Sequence, residues 1–118
     1  MDKRIEKWLL DIYETIKSIE SYFEDEPKDF SLYVKNEMRK KAVERNLEII
    51  GEAVNRILNQ DPTFTKKISD ARPIVDLRNY IIHSYDSVSD ENIWSILITH
   101  LPKLKTEVEA LLNENLQK

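Results

Sequence analysis

The sequence predicts an all-α protein, an antiparallel bundle of four to five helices, from three observations. Apolar residues recur at steps of three and four along most of the chain, as expected for helices that bury one face. One glycine and four prolines are too few for the tight turns that join β-strands or for glycine-rich phosphate loops. A length of 118 residues is typical of one domain, so we assign residues 1–118 to a single helical domain.

Composition also restricts the classes of function. A hydrophobic fraction of 41% and a charged fraction of 34% favour a packed core under a charged surface. The absence of cysteine excludes disulfides, thiolate nucleophiles and cysteine-ligated zinc. No long apolar stretch indicates a signal peptide or a membrane span, so we expect a cytoplasmic protein without membrane partners. The net charge of −4 argues against a general nucleic-acid surface, although basic residues are in slight excess between positions 35 and 78.

The first half of the chain predicts two long helices. The first covers about residues 2–24 and ends before Pro27, because proline removes a backbone donor and disfavours helix in the preceding residue. The second covers about residues 30–59, and we expect it to be irregular in its first two turns. Gly51 lies inside this helix, where glycine costs about 1 kcal/mol relative to alanine, which suggests that another helix approaches closely there. Glu52 and Arg56 have the favourable acid-first i,i+4 order.

The second half predicts a loop or short helical turn over about residues 61–70 and two further helices. The third helix begins near Arg72 and Pro73, where proline suits the first turn, and runs toward Tyr85. Ser87, Ser89 and Asp90 are candidate caps for a fourth helix. Pro102 should kink this helix or split it in two.

The third helix contains the residues that could carry chemistry. On an ideal helix Arg78 lies in the middle of the apolar stripe, while Asn79, His83 and Asp76 lie beside it on a polar face. A buried arginine needs an acidic or phosphate partner, because an unpaired charge in a low dielectric costs several kcal/mol and arginine keeps its proton. One interpretation is an ion pair with Glu48 or Glu52; the other is a phosphate clamp beside an imidazole.

The two histidines differ in their surroundings. His83 alone could simply compensate the dipole at a helix end, but it shares its polar face with Asn79 and Asp76. His100 has no group of polar residues around it in the sequence, and we expect it to be structural or exposed. Their spacing of 17 residues is unlike a metal-binding pair, so we predict no metal site and no cofactor.

Residues 78–85, RNYIIHSY, resemble the RNxxxHxY form of the arginine–histidine motif of the HEPN superfamily, and more narrowly that of HepT-like toxins. The similarity extends to residues 42–53, AVERNLEIIGEA, to Trp94 and to residues 101–104, LPKL. It thus covers nearly the whole chain in the same order and spacing. The resemblance implies a HEPN-like helical fold and a homodimer in which both motifs face one cleft.

The resemblance also implies an activity, the metal-independent cleavage of RNA such as tRNA or mRNA. His83 would act as general acid and base for attack by the RNA 2′-hydroxyl, since imidazole titrates near neutrality. Arg78 would bind the scissile phosphate, Asn79 would orient the phosphate or the imidazole, and Asp76 could tune His83. A dimer could gather basic residues around the cleft, among them Lys40, Lys41, Arg45 and Arg72.

Tyr85 carries a further implication of the resemblance. HepT-like toxins belong to type VII HEPN/MNT toxin–antitoxin modules, in which an MNT-type nucleotidyltransferase antitoxin silences the toxin by transferring AMP to this tyrosine. Added negative charge beside Arg78 and His83 would repel RNA. The other possibility for Tyr85 is packing on the apolar stripe. For the whole chain, the alternative is a non-catalytic helical module that binds a nucleotidyltransferase partner or nucleotides.

Overall fold

The computed structural model describes residues 1–26, 28–83 and 89–116, and all the regular structure in these ranges is helical. A short 3₁₀ helix, Pro62–Lys66, follows α3, and a π-helical segment, Ile96–His100, joins α5 to α6 without a break. When α5, the π-helical segment and α6 are counted as one stretch, the described residues form five continuous helices besides the 3₁₀ helix. This confirms the predicted all-α class and falls within the predicted number of four to five helices. The α-helices are α1 Lys3–Ser21, α2 Phe30–Lys35, α3 Glu37–Gln60, α4 Ala71–His83, α5 Asp90–Ser95 and α6 Leu101–Leu116.

Helix α1 begins where a side chain satisfies the free backbone donors of its first turn. The carboxylate of Asp2 accepts hydrogen bonds from the backbone N–H groups of Arg4 at 2.7 Å and Ile5 at 3.3 Å. The helix ends at Ser21, three residues before the predicted end. Its predicted apolar stripe is buried, which confirms the face assigned from the sequence: Ile5, Leu9, Ile12, Ile16 and Ile19.

The single helix predicted over residues 30–59 is two helices, α2 and α3, with the break at Asn36. The Asn36 side chain accepts a hydrogen bond from the backbone N–H of Arg39 at 3.0 Å and so caps α3. The irregularity expected in the first two turns is therefore a complete break. It turns Tyr33 inward, where its fully buried ring lies 5.3 Å from the ring of Trp94.

Helix α3 is central, since it packs against α1 on one side and α4 on the other, while α1 also contacts α6. At Gly51 the two helices α3 and α4 are in direct contact. A Cβ built on Gly51 would overlap Arg78 Cβ and would lie 3.2 Å from the Ile74 carbonyl oxygen. The close approach expected at this glycine is confirmed.

The irregularity expected at Pro102 lies just before it. In the π-helical segment the backbone N–H of Leu101 donates to the Ile96 carbonyl oxygen, five residues back, and α6 starts at Leu101. The chain thus passes a proline by a change of hydrogen-bond register and stays helical. None of the helices in the described ranges is both long enough and apolar enough to cross a membrane.

Candidate functional site

Helix α4 carries four of the five residues that the sequence singled out. Asp76, Arg78, Asn79 and His83 all lie on it, and it is α-helical through His83. Tyr85, the fifth, belongs to residues 84–88, which lie outside the described residues. The site can therefore be described up to the histidine.

Arg78 forms the ion pair that its position in the apolar stripe required. Its Nη2 lies 2.5 Å from Glu52 Oε2, and its Nη1 donates to Asn79 Oδ1 at 2.7 Å. Of the two carboxylates that the sequence offered, Glu52 is the partner. Glu48 instead pairs with Arg45 at 3.4 Å on the same helix. This contact confirms the expectation of an anionic partner, here in the form of the ion-pair interpretation.

The carboxylate of Glu52 is shared by two arginines. Its Oε1 accepts from Arg56 Nε at 3.1 Å, as the i,i+4 order of these residues predicted, while its Oε2 contacts Arg78. The N–H groups of Arg78 are not aimed at Oε2, so the contact is an ion pair without hydrogen-bond alignment. Within the described part of the chain, Glu52 Oε2 and Arg78 Nε are buried atoms that lack a hydrogen-bond partner.

The Arg78–Glu52 pair lies in a cleft of about 460 Å³ between α1, α3 and α4. Four carboxylates and three guanidinium groups line it, so its own formal charge is slightly negative. The cleft therefore does not attract phosphate by charge alone, and any phosphate in it must meet a guanidinium directly. The lining residues are Trp8, Asp11, Glu14, Thr15, Arg45, Glu48, Ile49, Glu52, Ala53, Arg56, Arg78 and Ile82.

The other candidate residues on α4 lie outside this cleft. Asp76, Asn79 and His83 are exposed, and His83 makes no side-chain hydrogen bond or ion pair to any other described residue. Arg78 and His83 are five residues apart on a regular helix, so their side chains leave the axis about 140° apart. A single chain therefore does not bring the two groups of the motif together within residues 71–83.

The basic residues that we expected a dimer to gather around one cleft lie at separate places on the single chain. Arg45 lines the cleft between α1, α3 and α4, whereas Lys40 lies 3.2 Å from Asp90 at the start of α5 and is held by that ion pair. Lys41 and Arg72 are exposed and line no part of this cleft. The local basic excess in the sequence does not produce a basic cleft in the single chain.

His100 is structural, as expected, but it has polar neighbours that the sequence did not reveal. Its Nδ1 lies 2.7 Å from Asp70 Oδ2, and Lys103 Nζ lies 3.3 Å from the same oxygen. The hydrogen bond from His100 is the main reason that the pKa of Asp70 is lowered. These contacts tie the start of α4 to the π-helical segment and α6. The local sequence around His100 does not reveal this partner, because Asp70 is 30 residues away.

Sequence reasoning also missed a buried arginine, Arg39. Its side chain is 7% exposed, forms an ion pair with Glu26 and lies with its guanidinium carbon 4.9 Å from the centre of the Phe23 ring. The sequence does contain a signal for the burial of Arg39: it lies four residues before Val43, so the two residues share the buried face of α3.

Comparisons with known proteins identify the class that this fold and motif define. Residues 12–111 match the model of a family described as "Ribonuclease HepT-like". The chain belongs to this HepT-like family.

Relatives of similar length support the assignment. The chain is 37% identical over 114 residues to the Methanocaldococcus jannaschii protein named "Putative RNase MJ1380", covering 94% of this chain and 100% of the relative. It is 32% identical to "Putative RNase MJ0127" of the same organism, covering 95% and 90%. It is also 32% identical to "Putative RNase TTE0752" of Caldanaerobacter subterraneus, covering 72% and 75%. No solved structure matches the chain significantly.

Proposed function

We propose that this protein is a metal-independent endoribonuclease, the toxin of a type VII HEPN/MNT toxin–antitoxin module acting in the cytoplasm. One observation carries the proposal: the family match spans residues 12–111 and so contains the whole segment from Arg78 to Tyr85. The names of the relatives, all of them RNases by description, support the same activity.

In the proposed reaction His83 removes the proton of a ribose 2′-hydroxyl, whose oxygen attacks the adjacent phosphorus. The bond from phosphorus to the 5′-oxygen of the next nucleotide breaks, and that oxygen takes up a proton from an imidazolium. A 2′,3′-cyclic phosphate and a free 5′-hydroxyl remain. Arg78 binds the non-bridging oxygens and offsets the charge that develops on them. Asn79 orients the Arg78 guanidinium or the substrate, and Asp76 supports His83.

The directions of the two side chains support a homodimer as the active form. Because Arg78 and His83 leave α4 about 140° apart, a second copy is a simple way to bring one group of each kind to the same phosphate. Single-stranded or looped RNA, such as a tRNA end or an mRNA, is the proposed substrate class. In such RNA the 2′-hydroxyl is free to align with the leaving group.

Tyr85 is the proposed site of inhibition. An MNT-type nucleotidyltransferase would transfer AMP from ATP to its hydroxyl, releasing pyrophosphate and leaving a phosphodiester. The added negative charge would stand two residues after His83 and compete with RNA phosphate for Arg78.

The activity is tested on RNA oligonucleotides in the presence of EDTA, with the wild-type protein, His83→Ala and His100→Ala. We expect cleavage with 2′,3′-cyclic phosphate ends, a loss of at least about 100-fold in His83→Ala, and activity within about threefold of wild type in His100→Ala. His100 is the matched control, because it is the other histidine and is engaged by Asp70. Equal rates for His83→Ala and wild type would refute the assignment.

The inhibition is tested by coexpression with the neighbouring nucleotidyltransferase, followed by mass spectrometry of the toxin. We expect AMP on Tyr85 and no modification in Tyr85→Phe. An inhibited complex whose tyrosine is unmodified would instead mean that the partner blocks the site by binding.

A second candidate function is a non-catalytic helical module that binds a nucleotidyltransferase or nucleotides. The Arg78–Glu52 ion pair favours it, since it provides the arginine with a partner without any substrate. A stable complex with the partner, together with no RNA cleavage by the wild-type protein, would decide for this candidate.

A further inference from the structure

We infer that Glu52 is a positioning residue for the proposed cleavage reaction and that, together with Gly51, it forms a seat for Arg78. Gly51 receives the stem of the side chain and Glu52 holds its charged end. This role depends on the proposed function, since it takes Arg78 as the group that binds the scissile phosphate.

The stem of Arg78 crosses α3 directly over Gly51. A Cβ at position 51 would overlap Arg78 Cβ and would lie 2.9 Å from Arg78 Cγ. Both contacts are closer than Cβ atoms in real proteins approach other atoms. Only a residue without a side chain therefore lets α4 come this close to α3. The crossing determines where the guanidinium enters the cleft, because the first carbons of the side chain have no room to move toward α3.

The charged end of Arg78 is held by a carboxylate that is itself held. Arg56, one turn further along α3, donates to Glu52 Oε1 at 3.1 Å, which orients the carboxylate so that Oε2 meets Arg78 Nη2 at 2.5 Å. At the other terminal nitrogen, Arg78 Nη1 donates a hydrogen bond to Asn79 Oδ1 at 2.7 Å. The guanidinium thus has contacts on both of its ends, which restricts a long side chain that would otherwise adopt many rotamers.

The seat leaves Arg78 able to bind a phosphate. A guanidinium has five N–H donors; in Arg78 one of them, on Nη1, donates to Asn79, while Nη2 forms with Glu52 an ion pair that is not an aligned hydrogen bond. The side chain is 23% exposed and lines the cleft, so N–H groups of the terminal nitrogens that are not donated to Asn79 are available to a phosphate there. An arginine fixed in advance loses less conformational entropy when the transition state forms, which is why the role of Glu52 should appear in kcat.

The test compares Glu52→Gln with the matched control Glu48→Gln in the RNA cleavage assay. Both changes remove one carboxylate from the same helix and the same cleft, but only Glu52 contacts Arg78. For Glu52→Gln we expect kcat to fall at least about tenfold with KM within about threefold, since a misplaced group weakens transition-state binding more than substrate binding. Glu48→Gln should keep both constants within about twofold of wild type.

Two further variants separate positioning from general structural damage. Glu52→Asp keeps the charge one methylene further from Arg78, and we expect its kcat to lie between those of wild type and Glu52→Gln. In an Arg78→Lys background, Glu52→Gln should cost less than about twofold, because there is no guanidinium left to position. A residue that only stabilises the fold would cost the same factor in both backgrounds.

The outcomes distinguish this inference from the function on which it depends. If Arg78→Ala cleaves RNA as fast as wild type, the proposed function fails. If Arg78→Ala is inactive while Glu52→Gln and Glu48→Gln are equally active, Arg78 keeps its role and the seat is refuted. The same conclusion follows if Glu52→Gln costs tenfold in both backgrounds.

Discussion

Two arginines of this protein, Arg39 and Arg78, lie among apolar residues but differ in how far their side chains are exposed. Arg39 is buried: its side chain is 7% exposed, packs on Phe23 and forms an ion pair with Glu26. Arg78 is also paired, with Glu52, but its side chain is 23% exposed and lines a cleft of about 460 Å³. Both residues satisfy the requirement that a buried cation has an anionic partner. Of the two, only Arg78 lies where a molecule in the cleft could reach it.

The comparison shows that a buried arginine is by itself no indication of a functional site. Access to a cleft and the motif around Arg78 distinguish it from Arg39, whose guanidinium stabilises the turn before α2. The two ion pairs should therefore respond differently to mutation. Arg39 and Glu26 should contribute mainly to stability, whereas Arg78 and its partner should contribute mainly to activity.

The largest expected difference is in activity. Arg78→Ala should lower kcat/KM for RNA cleavage by at least about 100-fold, as expected when a phosphate-binding group is lost from a transition state. Arg39→Ala, compared at equal concentrations of folded protein, should stay within about threefold of wild type, because Arg39 faces the core. The check is steady-state kinetics with circular dichroism to measure the folded fraction. A loss of the same size in Arg39→Ala would remove the distinction between the two arginines.

The next difference is in stability, when each arginine loses its carboxylate. Glu26→Gln should lower the free energy of unfolding by about 2 kcal/mol, because it leaves a buried guanidinium without a counter-charge. Glu52→Gln should cost less than about 1 kcal/mol, since both side chains of that pair are partly exposed, in contrast to Arg39. Urea unfolding of the two variants measures the difference. Equal costs would mean that the Arg78 pair is as structural as the Arg39 pair.

A smaller effect is expected at the contact between α3 and α4. Gly51→Ala should lower the free energy of unfolding by about 1 kcal/mol, since overpacking at Arg78 outweighs the gain in helix propensity. It should also lower kcat, because the added methyl group displaces the Arg78 stem. Thermal unfolding and the cleavage assay check both parts. A variant that is more stable and equally active would show that the contact is not tight.

The smallest expected effect concerns Asp70, the partner of His100, and it is a change in stability that depends on pH. Asp70→Asn should lower the free energy of unfolding by about 1 kcal/mol at pH 7, because it removes the carboxylate that contacts His100 and Lys103. The pKa of Asp70 is lowered in the folded protein, so this stabilisation is present above about pH 4 and is lost as the pH falls through the lowered pKa.

Urea unfolding of wild type and Asp70→Asn between pH 7 and pH 2.5 measures this dependence. The difference between the two proteins should shrink below about pH 4. A difference that stays constant over the whole range would show that the Asp70 charge does not stabilise the fold. In either case RNA cleavage at pH 7 should change little, because these contacts lie outside the cleft.

Local patterns in the sequence predicted much of the helical structure. The apolar stripe of α1, the end of α3 before Asp61 and the cap of α5 at Ser89 depend on residues within one or two turns of each other. The break at Asn36 was predicted only as an irregularity. An asparagine can lie inside a helix or cap a new one, and the packing of Tyr33 against Trp94 favours the cap.

The candidate site was predictable to the extent that its requirements are local. The position of Arg78 in an apolar stripe demanded an acidic partner, and Gly51 indicated a close approach of another helix. The sequence did not decide between Glu48 and Glu52. Glu52 follows the glycine at the helix contact, so it lies beside Arg78, whereas Glu48 lies one turn away and pairs with Arg45.

By itself, then, the sequence determined the all-α class, most helix boundaries, the need of Arg78 for an anion and the resemblance that the family match confirmed. Only the tertiary structure decided that Glu52 is the partner of Arg78, that Arg39 is buried and that His100 contacts Asp70. The physical reason is the separation in sequence over which each kind of interaction acts. Helix periodicity and capping act over three or four residues, while the partner of a charge depends on which helices meet and at which residues.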